Sequence, residues 1–472
     1  MKSSKKQHST PKKTVKKKRA RARKTLLEQK LEMINPNAAG VDVASEEMWV
    51  CVPEDRADQP IRRFGAFTCD LTAIADWLTA CGITTVAMES TGVYWIPLYQ
   101  LLETRGFDVC LVNARQMKNV SGRPKTDRLD CQWIQRLHSY GLLMASFRPD
   151  DEICQLRSLL RHRESLITTA AREIQHMQKA LHQMNCLLDK VVTDITGKTG
   201  LTIIERILAG EREPATLAAL RDYRARASEA EIAKALDGDY RDEHIFVLQQ
   251  AYEAYQFAQE QLQACDQKIE AWLIRTEKVV DVTTAPLPPS WHDHRTLQAN
   301  EPPRDTREHL YAIYGVDLTQ VPGFRPSTIQ TLLAEVGRDM TRWETEKHFT
   351  SWLGLAPNLK RSGGKDLSSH SRRVQSRAAR AFRLAARTLT RSRNALGAFY
   401  RRLKGRIGPA KALTATARKL AVIFYTMVKH RRPYTEVGEE EYLKRQQQRQ
   451  LARLKTQATR LGFDLVPQTT EE

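Results

Sequence analysis

Five residues in this chain have the types and placements needed for phosphodiester chemistry. Asp42 lies inside the apolar run Gly40-Val41-Asp42-Val43-Ala44, where a lone charge is costly unless it is paired or metal-bound. Glu89 closes a second apolar run, Ile83 to Met88, and precedes Ser90-Thr91-Gly92. Asp127 and Asp130 are spaced i, i+3, so a helix would bring both to one face. Like charges that close repel, and a divalent cation between them would offset the cost. Carboxylates converging from strand ends and a helix form a hard, all-oxygen site suited to Mg²⁺. Two such ions about 3.5–4 Å apart can hold the attacking and leaving oxygens of a phosphodiester. The fifth residue, Ser362, lies in the polar stretch Lys360-Arg361-Ser362-Gly363-Gly364-Lys365. Its glycines admit a close phosphate, and Lys360, Arg361 and Lys365 would hold that charge. By composition alone this is a phosphate-binding loop with an incidental serine.

The charge distribution names the partner. Residues 1–30 hold 13 Lys or Arg against one acid, and residues 359–433 hold 21 against one. The net charge is +20, so the rest of the chain is acidic overall and the basicity is concentrated in two places. That is the footprint of a polyanion, most simply nucleic acid, with affinity that falls steeply with salt. The expected contacts are Lys125, Arg128, Lys360, Arg361, Lys365, Arg373, Arg380 and Arg383. The eight cysteines form no C-x-x-C pair, which argues against zinc and disulfide frameworks and suits a reducing cytoplasm. No apolar run approaches the roughly 20 residues that span a bilayer, and no secretory signal is evident.

The elements that must position these residues follow from periodicity. Residues 1–34 read as a basic disordered tail. Over 35–148, strands at Gly40–Ala44, Met48–Val52, Ile83–Met88 and Phe107–Val112 alternate with helices at Leu71–Ala80, Pro97–Arg105 and Lys125–Leu143. That order predicts an α/β domain with a central mixed sheet. Over 149–278, apolar residues from Ile153 to Leu188 recur at alternating spacings of three and four, a coiled-coil signature repeated from Leu248 to Trp272. Either the two helices pack on each other within one chain, or they form a dimer arm. Residues 279–306 form a Pro-rich linker in which His292 and His294 are more simply solvated than metal-bound. Residues 307–433 read as a helical domain. Within it, Val321-Pro322-Gly323-Phe324 resembles a helix-hairpin-helix turn, and Arg373, Arg377, Arg380, Arg383 and Arg387 are expected on one helical face. Residues 434–472 are a charged tail.

Three segments, Val41-Asp42-Val43-Ala44-Ser45, Met88-Glu89-Ser90-Thr91-Gly92-Val93-Tyr94-Trp95 and Lys125-Thr126-Asp127-Arg128-Leu129-Asp130, resemble the DEDD transposases of the insertion-sequence 110 and 1111 group, relatives of pilin-gene invertases. Gly354-Leu355-Ala356-Pro357 followed by Ser362-Gly363-Gly364-Lys365 resembles the serine motif of the same family. The resemblance implies a RuvC-like (RNase H-type) N-terminal domain whose four acids, here Asp42, Glu89, Asp127 and Asp130, bind divalent metal. It implies a C-terminal transposase domain whose serine, here Ser362, becomes covalently joined to a DNA phosphate. It implies donor and target DNA as partners and a guide RNA encoded by the element; the long helices, read as a dimer arm, suggest a homo-oligomer, dimer or tetramer. Downstream of Ser362 the family's Gly-rich stretch is replaced by Leu367-Ser368-Ser369-His370-Ser371, so Ser368, Ser369 and Ser371 are rival serines. Two other functions fit the residues: a junction-resolving nuclease that uses only the acids and water, and a non-catalytic scaffold built on the long helices.

Overall fold

The computed structural model describes residues 32–113, 126–289, 300–301 and 306–466. Residues 1–31 of the basic tail expected at 1–34, Lys125, and the His292–His294 pair lie outside the described residues. The chain divides between Arg148 and Pro149 into two compact units.

The first unit is a five-stranded sheet with helices on both faces. Its elements are β1 (Ala38–Val43), β2 (Glu47–Cys51), β3 (Ile61–Gly65), α1 (Thr68–Ala80), β4 (Thr85–Glu89), α2 (Trp95–Thr104), β5 (Asp108–Val112) and α3 (Asp127–Ser139). The strand order is β3-β2-β1-β4-β5. β1 pairs antiparallel with β2 and parallel with β4, and β4 pairs parallel with β5. This mixed α/β core is consistent with a RuvC-like domain. The edge strand β3 was not expected, because Arg62 and Arg63 break the apolar alternation of IRRFG.

Alternation along β1 and β4 assigns the two faces. Ala39, Val41 and Val43, with Val86 and Met88, join the core under α1 and α2. Ala87 joins a separate cluster with Val112 and Ile134 of α3 on the opposite face. The residues of β1 toward α3 are small because the helix lies almost on the strand. A Cβ on Gly40 would sit 2.3 Å from the Gln135 nitrogen and 2.4 Å from the Cys131 oxygen. Gly40 is therefore required for this contact rather than for a turn.

The second unit is helical. Helix α4 (Asp151–Gln183) leads into four short helices, α5 (Leu188–Val191), α6 (Lys198–Leu208), α7 (Pro214–Ala218) and α8 (Glu229–Leu236), and α9 (Asp242–Arg275) returns. Hydrogen bonds from Thr276 to Glu152 and from the Cys265 thiol to the Leu159 carbonyl show that α4 and α9 run antiparallel against each other. The 3-and-4 stripe is thus used inside the chain. One stripe position is Arg163, buried and bidentate to Asp266 of α9, a polar pairing that fixes the register of the two helices. The short helices close over the far end of this hairpin, burying Ile203, Ile204, Ile207, Leu217 and Ile232 with Met177 and Leu248. Their periods are too brief to be read from the sequence, and only their shared core makes them stable.

The rest of this unit comprises α10 (Thr306–Tyr314), α11 (Pro326–Val336), α12 (Glu346–Trp352), the hairpin β6 (Lys360–Ser362) and β7 (Lys365–Ser368), α13 (Arg377–Thr388), α14 (Ala395–Ile407), α15 (Pro409–His430) and α16 (Glu439–Arg460). Phe349, Phe382 and Phe424 are fully buried and pack ring against ring at its centre. Among the described residues, no helix is long and apolar enough to cross a membrane.

Candidate carboxylate and serine sites

Asp42 and Glu89 lie on one face of the first sheet, the face covered by the helix that bears Asp127 and Asp130. Asp42 is an even-numbered residue of β1 and so faces α3, as Gly40 does. Thr85 of β4 faces α3 too: its hydroxyl lies 2.8 Å from Nε2 of the buried His138. Glu89, four residues on in the same strand, shares that face, and it is the last residue of β4 rather than the first beyond it. The last aligned pair of the parallel ladder is Val41 with Met88, so Asp42 and Glu89 come next, side by side.

Helix α3 runs opposite to β1. Its C-terminal end is held by Ile34 and Asn35, whose backbone N–H groups both donate to the Ser139 carbonyl at 2.9 Å. Near its middle the Gln135 amide donates to the Ala38 carbonyl, 3.3 Å away. Its first turn therefore falls at the Asp42 end of the strand. Thr126 caps that turn, its hydroxyl accepting from the Leu129 N–H. Asp127 and Asp130 occupy the first turn, where the helix dipole favours negative charge. Arg128 is exposed beside them.

The electrostatics record the convergence. The Asp42 carboxyl is pushed up from the usual carboxylate range to about 6, first by burial and then by the charges of Glu89, Asp130 and Asp127. Glu89 accepts a hydrogen bond from the Thr91 hydroxyl at 3.1 Å. Among the described residues, no three His, Cys, Asp or Glu side chains close on a point as a finished metal cage. The four acids are gathered on one face but not drawn together. Two residues that position them were not singled out in the sequence, Gly40 and His138. A glycine inside a strand was the available signal for the first; a lone histidine on a helix offered none.

Ser362 sits in a different setting. The expected loop is a two-stranded hairpin with Ser362 opposite Lys365. Gly363 and Gly364 form its turn at φ +55° and +77°, as a two-residue connection with both central residues left-handed requires. A Cβ on either glycine would meet nothing within 4 Å, so the turn is open to an approaching phosphate. Lys360, Arg361, Ser362 and Lys365 are all exposed, and Arg361 pairs across the hairpin with Asp366. The base is anchored where Pro357 bridges Ser371 and where Arg372 donates to the Ser351 carbonyl at 2.6 Å. Ser368 pairs with Lys360, and Ser369 and Ser371 follow toward the anchored end, so Ser362 is the serine beside the turn.

The basic helix differs from expectation at two points. Arg373 precedes α13, which begins at Arg377 behind a Ser376 cap, so it is not part of the helical face. Arg377 and Arg380 share Glu164 of α4, which compensates part of their charge. Arg383 is half-buried, and Arg387 is exposed. The Gly323 turn is a packing element: a Cβ there would lie 2.9 Å from the Ala385 carbonyl of α13. Neighbouring Val321 and Phe324 are buried, so the turn is seated against a helix rather than presented to phosphates.

Comparison with known families gives the same two segments. Residues 39–186 match a family of DEDD type, described as Transposase. A transposase domain of this kind suggests an enzyme that acts on DNA. Residues 317–401 match the family described as Transposase IS116/IS110/IS902, so the chain carries both an N-terminal and a C-terminal domain of IS110-family transposases. No curated protein matches the chain.

Proposed function

We propose that this transposase is an RNA-guided DNA recombinase that cuts and rejoins strands through a phosphoserine link at Ser362, with Asp42, Glu89, Asp127 and Asp130 holding Mg²⁺. The carrying observation is that Asp42 and Glu89 lie on the sheet face covered by α3, which bears Asp127 and Asp130, with the Asp42 carboxylate disfavoured first by burial and then by the other three charges. The donor set is all oxygen and so fits a hard divalent ion. Bound there, the ions would supply positive charge to the reacting phosphate. Helix α3 fixes Asp127 and Asp130 over the strand ends, and Arg128 adds a nearby cation for the DNA backbone.

At Ser362 the hydroxyl oxygen attacks phosphorus. The Oγ–P bond forms, the bond to the departing strand oxygen breaks, the serine gives up its proton, and the departing end leaves as a hydroxyl. Bond energy is retained, so a second strand's hydroxyl can reverse the step and join. Lys360 and Lys365 flank the phosphate, and the open Gly-Gly turn lets the backbone approach it. The two basic regions, residues 1–30 and 359–433, supply surface for both a guide RNA and the donor and target DNA. The α4–α9 hairpin is the proposed arm of a dimer or tetramer, and the protein acts in the cytoplasm, on the nucleoid.

The test is to incubate the chain with candidate RNA, DNA and Mg²⁺ and look for SDS-stable protein–DNA adducts. Wild type should form them and Ser362→Ala should not. Free ends without an adduct, insensitive to Ser362→Ala, would identify a nuclease that uses metal and water alone.

A further inference from the structure

A second site lies within the helical unit, where α4, α11 and α13 meet around a cavity of about 280 Å³. Three of its features point to one kind of ligand.

The first is a cluster of cations at its edge. Arg161, Arg377 and Arg380 line it, close enough that the other two push the Arg377 guanidinium below its usual pKa, after burial. Their carboxylate partners are shared. Glu164 takes both Arg377 and Arg380, and Glu335 takes Arg161 bidentately as well as Arg157. Each guanidinium carries five N–H donors in a fixed fork, so shared carboxylates leave donors over for a further anion. The second feature is an apolar wall of Leu160, Ile167 and Leu384. The third is Gln330. It lines the cavity and is only 2% exposed. Its side-chain amide offers a donor and an acceptor side by side.

A bare phosphate would use the arginines and leave both the apolar wall and the amide idle. A lipid or apolar ligand would leave the arginines idle. We propose that this cavity takes one unpaired nucleotide, its base against Leu160, Ile167 and Leu384 with its edge hydrogen-bonded to Gln330, and its phosphate on Arg161, Arg377 and Arg380. A glutamine amide pairs bidentately with an adenine edge, so adenine is the base expected. The cavity lies at the small end of ligand pockets, which suits one nucleotide and not a duplex. The nucleotide comes either from RNA or from a single strand of DNA. This inference needs neither Ser362 nor the carboxylates, so it can fail while the recombination reading stands, and the reverse.

The experiment measures binding of fluorescein-labelled 12-mers to the full chain in EDTA, so that no metal-dependent strand cleavage intervenes. Oligo(A) as RNA and as DNA is compared with abasic 12-mers of equal charge, which cancels the contribution of the basic regions. Wild type should favour the base-bearing strand roughly tenfold, and Gln330→Ala should bring the two within about twofold. The arm that shows the preference, RNA or DNA, identifies the source. Equal binding of abasic and adenine strands by wild type would overturn the proposal and leave an anion site only. An undiminished preference in Gln330→Ala would overturn it as well. Because a buried variant can misfold, wild-type protein is also photo-crosslinked to a 12-mer bearing 8-azidoadenine. Crosslinks in α4, α11 or α13 around the cavity support the site, and crosslinks found only elsewhere overturn it.

Discussion

Asp42 and Glu89 stand on neighbouring parallel strands, and Asp127 and Asp130 stand on a helix whose backbone touches one of those strands at Gly40. Ser362 stands beside the turn of an exposed two-stranded hairpin anchored only at its base. The acids are built into the sheet and the helix packed on it, whereas the serine is exposed on a hairpin that projects from its anchored base. Metal-binding carboxylates need fixed convergence, because each must reach the same ion. A nucleophile that is to be joined to one strand and released by another needs access, and a rigid buried serine would lack it.

Four measurements test that contrast. The largest effect expected is from Ser362→Ala, which should remove the covalent adduct and lower strand transfer on the order of 10³-fold or more. Ser368→Ala and Ser369→Ala should keep it, because they sit toward the anchored end. An adduct persisting in Ser362→Ala would move the nucleophile elsewhere.

Next is Asp42→Asn, which should cost about 10²-fold or more in strand cleavage while the protein stays folded. Its stability should depend on pH with a definite sign. The folded-state pKa is raised to about 6 from the usual 3.8, so the folded protein holds this proton more tightly than the unfolded chain. The resulting stabilisation is complete below about pH 4 and is lost as pH rises through 6. In EDTA, thermal melts should therefore show Asp42→Asn gaining on wild type between pH 4.5 and 7.5. A constant difference across that range would mean that the acids do not crowd Asp42.

Gly40→Ala changes no charge and no acid, yet its Cβ would overlap the α3 backbone at 2.3 Å. We expect a loss of about 1–3 kcal/mol of stability, with a parallel loss of cleavage as Asp127 and Asp130 shift. Normal melting and normal cleavage together would show that α3 need not touch the strand. The smallest effect belongs to the hairpin: Lys365→Gln should lower the salt dependence of DNA binding by about one phosphate contact, without altering sequence preference.

Much of the carboxylate face was legible in the sequence because each acid marks a break in an apolar pattern. Asp42 interrupts a strand, Glu89 ends one, and Asp127 and Asp130 keep helical spacing. What bound them together was not legible, since Gly40 and His138 act through a contact between elements far apart in sequence. The Ser362 hairpin had a readable signal in its Gly-Gly pair, but the surrounding polar residues lack the alternation that marks a strand. The arginines of α13 were read as one charged face. Glu164, more than 200 residues earlier, neutralises part of it, and no local pattern carries that information.

The α4–α9 hairpin leaves and re-enters the second unit at the same point, where Glu152 meets Thr276. Its 33 and 34 residues extend about 50 Å. Its contacts with α11 and α13 through Arg157, Arg161 and Glu164 lie near that base. Between Ile167 and the core closed by the short helices, which Met177 and Leu248 join, its length is set by paired turns, like the shaft of a tool whose grip and head are made separately. Removing one heptad from each helix beyond that point would bring the head about 10 Å closer while leaving the grip unchanged.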